Sequence, residues 1–171
     1  MSGAGYFLYF AFGSNLLKER LQLNNPSAVF HSVARLEGYV LQFGLWGENV
    51  ITRWNGGVAT IEECPDGEVW GVVWKMANED IASLDKQESV DKGVYSPMEV
   101  TVKTDTGPLL CRTYKMNNFR PCAPSPQYKE VICLGAQQNR LPEYYIKKLQ
   151  AVETNYYTGP SILDDIKNHK N

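Results

Sequence analysis

The feature that most limits what this chain can fold into is its opening apolar run, Tyr6-Phe7-Leu8-Tyr9-Phe10-Ala11-Phe12. It stops at Gly13-Ser14-Asn15 and gives way to a charged segment with apolar positions at Leu16, Leu17, Leu21 and Leu23. The aromatic run reads as a buried strand and the spacing behind it as a short helix. The residues between form a strand-to-helix junction. Gly13 lets the chain bend with no Cβ in the way, and Ser14 or Asn15 can cap the helix, so several N–H groups can converge on one anionic or carbonyl oxygen. Ordinary turn and cap chemistry accounts for the same residues, and the two readings are compatible.

The rest of the chain alternates strands with short helices. Ala28 to Phe43 suggests a strand with a break near Gly38, followed by a loop from Gly44 to Gly56. Val58 to Ile61 and Val69 to Met76 read as two strands, the second with Trp70 and Trp74 as core residues. Asn78 is a candidate N-cap for a helix through Ile81 and Leu84, which leaves Glu88 at or just beyond the helix C-terminus, where the macrodipole disfavours an ionised carboxylate. Asp85 and Lys86 read as that helix's exposed face. Val94 to Lys103 and Leu109 to Met116 suit a strand pair joined by Thr104-Asp105-Thr106-Gly107-Pro108. Ser125 before Pro126 matches a cap with proline at the first helical position, placing Tyr128 in the first turn. Helices near 142–152 and 162–168 close the chain. Strands that follow one another directly favour antiparallel pairing, so the expected class is α+β.

A chain of 171 residues suits a single domain, 1–171, able to bury about two-thirds of its unfolded surface. Lys and Arg total 17 against 19 Asp and Glu, with no basic stripe, which argues against a nucleic-acid partner. No apolar run approaches the roughly 20 residues that span a bilayer, and no signal peptide is visible, so a cytosolic, cytoplasmic protein without a membrane anchor is expected. Cys64, Cys111, Cys122 and Cys133 make no C-x-x-C pair and read as reduced thiols. His31 and His169 are the only histidines, and no spacing supplies them with partners for a metal; none is expected.

Two segments together carry a resemblance. Phe10-Ala11-Phe12-Gly13-Ser14-Asn15-Leu16 and Ser83-Leu84-Asp85-Lys86-Gln87-Glu88, the latter followed by Gly93-Val94-Tyr95, resemble the gamma-glutamylcyclotransferase family. Gly56-Gly57-Val58-Ala59-Thr60-Ile61, the stretch Glu68 to Met76 and Pro124-Ser125-Pro126-Gln127-Tyr128-Lys129 extend it over nearly the whole chain, with a core of about 6–158. The resemblance implies a small, mostly antiparallel β-barrel surrounded by helices. It also implies a homodimer that releases 5-oxoproline from gamma-glutamyl-α-amino acids in glutathione metabolism, with no cofactor.

That reaction sets clear demands. The substrate's own α-amine must lose a proton before attacking its γ-carbonyl, and the departing amine must gain one, so a single carboxylate can serve as base and then acid. This is acyl transfer within one molecule, with cleavage of a carbon–nitrogen bond, and it needs no covalent intermediate. Glu88 is the candidate, provided its pKa lies well above the ordinary value of roughly 4.3. The resemblance carries substrate contacts to Tyr9, Phe10, Ala11, Phe12, Gly13, Ser14 and Tyr128, and amides of the Phe12-Gly13-Ser14 turn suit a developing oxyanion. Asn15, Tyr95 and Tyr114 are candidates for lining the pocket, the tyrosines also for hydrogen bonding Glu88 or the substrate; as core aromatics the two tyrosines have an equally plain role. Phe12 departs from the family's usual tyrosine, keeping the ring and losing the hydroxyl. Glutathione-specific and gamma-glutamylamine cyclotransferases are neighbouring readings, and a catalytically weak ligand-binding or interaction homologue is the reading from another class.

Overall fold

In the computed structural model, which describes residues 5–48 and 50–156, five strands close into a barrel. These are β1 (Tyr6–Ala11), β2 (Val29–Leu45), β3 (Val58–Ala77), β4 (Tyr95–Thr104) and β5 (Gly107–Met116), with a two-residue β6 (Arg120–Pro121) added beside β2. The order around the ring is β3-β1-β5-β4-β2, and β2 pairs back onto β3 to complete it. Every pairing is antiparallel except β1 with β5, where Tyr9 faces Arg112. The expected α+β, mostly antiparallel barrel is therefore present.

β2 and β3 form a long bent hairpin, and here the sequence reading needs correction. Val58–Ala77 is one strand rather than two. Glu37 pairs with Glu68 and Tyr39 with Glu63, so the single residue Gly38 faces Cys64, Pro65, Asp66 and Gly67 across a bulge. Gly38 adopts φ +86°, which glycine tolerates and other residues rarely do. A polar Pro- and Gly-containing insert reads as a turn in sequence, yet here it bends a strand that continues. β2 likewise runs through Leu45, beyond the expected boundary.

The barrel wall buries both faces of β1. Phe10 and Ala11 are fully enclosed and Tyr9 is 5% exposed. Trp74 on β3 is also fully enclosed, and its indole N–H donates to the Asn15 carbonyl at 3.0 Å, which ties the turn after β1 to the wall. Burial of each such side chain is worth about 1.5–3 kcal/mol.

Among the described residues four short helices surround the barrel: α1 (Lys18–Gln22), α2 (Ile81–Gln87), α3 (Pro126–Gln138) and α4 (Glu143–Gln150). Ser125 caps α3 as expected, its hydroxyl accepting the Tyr128 amide at 3.1 Å. A Cβ on Gly135 of α3 would lie 2.5 Å from the Leu17 nitrogen, so the helix sits directly on the turn after β1. Two expected caps are absent. Asn78 begins a 3₁₀ turn, Asn78–Asp80, ahead of α2, and makes no side-chain cap bond. Neither Ser14 nor Asn15 caps a helix, because a separate 3₁₀ turn, Ser14–Leu16, intervenes before α1. The helix expected at 162–168 lies outside the described residues. Among the described residues no helix is long and apolar enough to cross a membrane.

Candidate active site

The turn after β1, the end of α2, the start of β3 and the first turn of α3 meet around a cavity of about 40 Å³. Its walls are Tyr9, Phe12, Gly13, Ser14, Asn15, Ala59, Glu88, Tyr95, Tyr114 and Tyr128. Nine of these are site residues anticipated from the sequence or the resemblance: Tyr9, Phe12, Gly13, Ser14, Glu88 and Tyr128, with Asn15, Tyr95 and Tyr114 from the weaker group. Phe10 and Ala11 do not line it. Side chains alternate across a strand, so Phe10 points away from Tyr9 into the core, and the Ala11 methyl is wholly enclosed.

Glu88 follows the last residue of α2, and its amide bonds back to the Leu84 carbonyl at 3.0 Å. The carboxyl turns into the cavity. Burial in this low-dielectric setting pushes its pKa from the ordinary 4.5 to about 7. The positive charge of Arg20 opposes that shift, the negative charge of Asp85 adds to it, and hydrogen bonding from Tyr9 weakly opposes it. Desolvation, rather than the dipole of a seven-residue helix, is the main cause.

Asn15 organises the polar side. Its Nδ2 donates to the Tyr9 hydroxyl at 3.0 Å and, at a longer 3.4 Å, to Glu88 Oε1. Its Oδ1 accepts from Gln87 Nε2 at 2.9 Å, and Gln87 Oε1 accepts from Asn25 Nδ2 at 2.9 Å. The orientation of the buried Asn15 amide is thus fixed from both ends.

On the opposite wall Tyr128 accepts the Ala59 amide at 2.8 Å, and Tyr95 donates to the Ala59 carbonyl at 2.6 Å. Among the described residues no acceptor takes the Tyr128 hydroxyl proton, which leaves it as a donor beside Gly13 and Ser14. Tyr114 donates to Asp85 Oδ1 at 2.5 Å, while Arg112 Nη2 bonds both Asp85 oxygens at 2.9 Å. Neither Tyr95 nor Tyr114 bonds Glu88. Asp85 is consequently a half-buried, clamped carboxylate and not part of an exposed face, although Lys86 is exposed.

A wider chamber of about 410 Å³ adjoins the first and shares Ser14, Glu88, Tyr95 and Tyr128 with it. Arg20, on α1, lines its wall and is only 8% exposed. The sequence reading missed Arg20, Gln87, Ala59 and Arg112. For Arg20 a signal existed: it lies three residues after Leu17 and four after Leu16, on the face those leucines bury, whereas Leu23 is exposed.

Comparison with known proteins agrees with this geometry. Residues 68–149 match the model of the AIG2-like family. The gamma-glutamylcyclotransferase of Bos taurus is 56% identical over 154 residues, spanning 90% of this chain and 82% of that protein. The chain belongs to the gamma-glutamylcyclotransferase family. The Homo sapiens gamma-glutamylcyclotransferase is 53% identical over the same shares of each chain. A solved structure of a gamma-glutamyl cyclotransferase superposes with a TM-score of 0.91 at 50% identity, covering 95% of this chain and 99% of that one. Membership of this enzyme family agrees with a cavity built around one partly buried carboxyl, and the resemblance read from Phe10 to Leu16 and from Ser83 to Tyr95 stands.

Proposed function

We propose that this member of the gamma-glutamylcyclotransferase family cyclises gamma-glutamyl-α-amino acids to 5-oxoproline with release of the free amino acid, and that Glu88 moves the proton. The observation that carries this reading is the Glu88 carboxyl, raised to about 7 and facing the same small cavity as the Gly13-Ser14 turn and the Tyr128 hydroxyl. A group poised there can take a proton from the substrate ammonium and return it to the departing amine at neutral pH. As the amine attacks, charge grows on the γ-carbonyl oxygen, and the Tyr128 O–H stands beside the turn as a preset donor. Asn15 and Tyr9 hold the carboxyl while the proton moves.

The same reading places the protein in the cytosol, which suits its unpaired cysteines, and makes it a homodimer, as the resemblance implies. The test measures 5-oxoproline released from gamma-glutamyl-alanine, glutathione and gamma-glutamyl-ε-lysine, with Glu88→Gln as control. Turnover of gamma-glutamyl-alanine that disappears in the folded Glu88→Gln protein is the expected result. Release from glutathione alone would overturn the substrate assignment.

A further inference from the structure

Arg20 is a buried cation that makes no hydrogen bond to the proton-carrying carboxyl, although its charge holds the Glu88 pKa down. Its Nε is sealed from solvent and has no hydrogen-bond partner. Among the described residues its guanidinium makes no ion pair within 4 Å; Cζ lies 5.9 Å from the centroid of the Trp54 ring, and the charge of Glu88 acts on it from a greater distance. Trp54 in turn packs edge-on against Tyr128 at 5.0 Å, so the guanidinium is held by a stack that leads back to the reaction centre. Glu88 does not pair with it in this structure: the Glu88 carboxyl is engaged by Asn15. An enclosed, unpaired guanidinium is costly, and its fork of donors matches a carboxylate in two-point fashion. Arg53 and Lys92, both exposed, stand at the rim of the same chamber and add positive potential along the approach.

Two carboxylates are available on a gamma-glutamyl-α-amino acid, one on the glutamyl part and one on the residue that leaves. The constant part of the substrate is the glutamyl group, whose amine and carbonyl must reach Glu88, the Gly13-Ser14 turn and Tyr128 on the inner walls. The variable part is the leaving residue, which needs the wide chamber. Glu88 and Ser14 lie on the boundary, where the scissile nitrogen must sit for Glu88 to protonate it. The leaving residue's α-carboxylate is joined to that nitrogen through a single carbon, so it enters the chamber that Arg20 lines. On this basis, which rests on the cyclotransferase reading above, the geometry points to Arg20 as the specificity residue that binds the α-carboxylate of the departing amino acid. Arg20 thereby selects gamma-glutamyl-α-amino acids over gamma-glutamyl amines.

The experiment compares kcat/KM for gamma-glutamyl-alanine, gamma-glutamyl-alaninamide and the analogue amidated instead at the glutamyl α-carboxylate, in the natural protein, Arg20→Gln and Arg20→Lys. The natural protein should favour gamma-glutamyl-alanine over its alaninamide by on the order of 100-fold. Arg20→Gln should bring the two substrates within about 3-fold of each other, a ratio that the accompanying rise in the Glu88 pKa does not move because it affects both rates alike. Arg20→Lys, which keeps the charge without the fork, should retain part of the preference. The proposal is overturned if the natural protein treats alanine and alaninamide alike, a result that needs no variant to fold. It is equally overturned if folded Arg20→Gln keeps the preference, or loses discrimination at the glutamyl carboxylate instead. Titrating the three compounds into Glu88→Gln separates the two readings. A preference for alanine in binding, alongside absent turnover in the natural protein, would sink the cyclotransferase reading and keep the carboxylate site.

Discussion

The Tyr128 hydroxyl accepts the backbone amide of Ala59 at 2.8 Å, joining the first turn of α3 to the start of β3. Because Tyr95 holds the carbonyl of the same residue at 2.6 Å, Ala59 is clamped between two tyrosines and the Tyr128 oxygen is held in place. Tyr128→Phe removes the donor proposed for the γ-carbonyl and leaves the buried Ala59 amide without that partner. We expect a loss of about 1–3 kcal/mol in unfolding free energy and a fall in kcat of roughly 10²-fold. Chemical denaturation and steady-state assays on the same preparation separate the two effects. Unchanged kcat would show that Tyr128 only supports the wall.

Gly13 is required by space and not by backbone angle, since its φ is −120°. A Cβ there would lie 2.9 Å from the Ala59 Cβ and 3.3 Å from the Tyr128 hydroxyl. Neither neighbour can retreat, as both belong to the clamp just described. Gly13→Ala should therefore cost about 1–3 kcal/mol by overpacking and lower kcat/KM at least about tenfold by moving the Tyr128 hydroxyl. Thermal melts and initial rates check it, and wild-type rates in the variant would show that the turn tolerates displacement.

How much of this could be read from residues alone differs from element to element. Ser125-Pro126 announced the start of α3, and the aromatic run announced β1, because caps, proline and apolar patterning act locally. Glu88 at the end of α2 was also legible. What it faces was not, since Tyr9, Asn15 and Glu88 are brought together by tertiary packing across 73 residues of sequence. The join of β3 across Cys64 to Gly67 was hidden because bulge and turn residues are the same types. Arg20 stayed unread because arginine is rarely buried, so a charged residue on an apolar face is taken for a boundary of that face. Barrel closure, which depends on β1 lying parallel to β5, leaves no mark in strand periodicity.

Ionising Glu88 inside its cavity costs folding energy. Its folded pKa of about 7 lies above the ordinary 4.5, so between those values the folded protein binds the extra proton. Stability contributed by the protonated form is therefore lost as pH rises from about 4.5 to 7, and the penalty is level above that, at most roughly 3 kcal/mol. Glu88→Gln carries no ionisable group and escapes it. The variant should match the natural protein near pH 4.5, exceed its melting temperature increasingly up to pH 7, and keep a constant margin at pH 8. A margin that does not change with pH would show that Glu88 titrates normally.

The same pKa governs the rate profile. With Glu88 protonated, the substrate ammonium finds no base, so kcat/KM should climb about tenfold per pH unit below 7 and level off above it. At higher pH it should fall again once the substrate amine loses its proton in solution, because the complex then lacks the proton the leaving amine requires. Asp85 offers a way to move the acidic limb without touching the proton carrier. Its negative charge raises the Glu88 pKa, and it neutralises Arg112 through paired 2.9 Å bonds. Asp85→Asn removes the anion and leaves the Arg112 cation unbalanced, and both changes favour ionised Glu88. The acidic limb should shift to lower pH in Asp85→Asn, while Tyr114 exchanges a carboxylate acceptor for the weaker amide oxygen. An acidic limb that stays in place in Asp85→Asn would assign that ionisation to the substrate and not to Glu88.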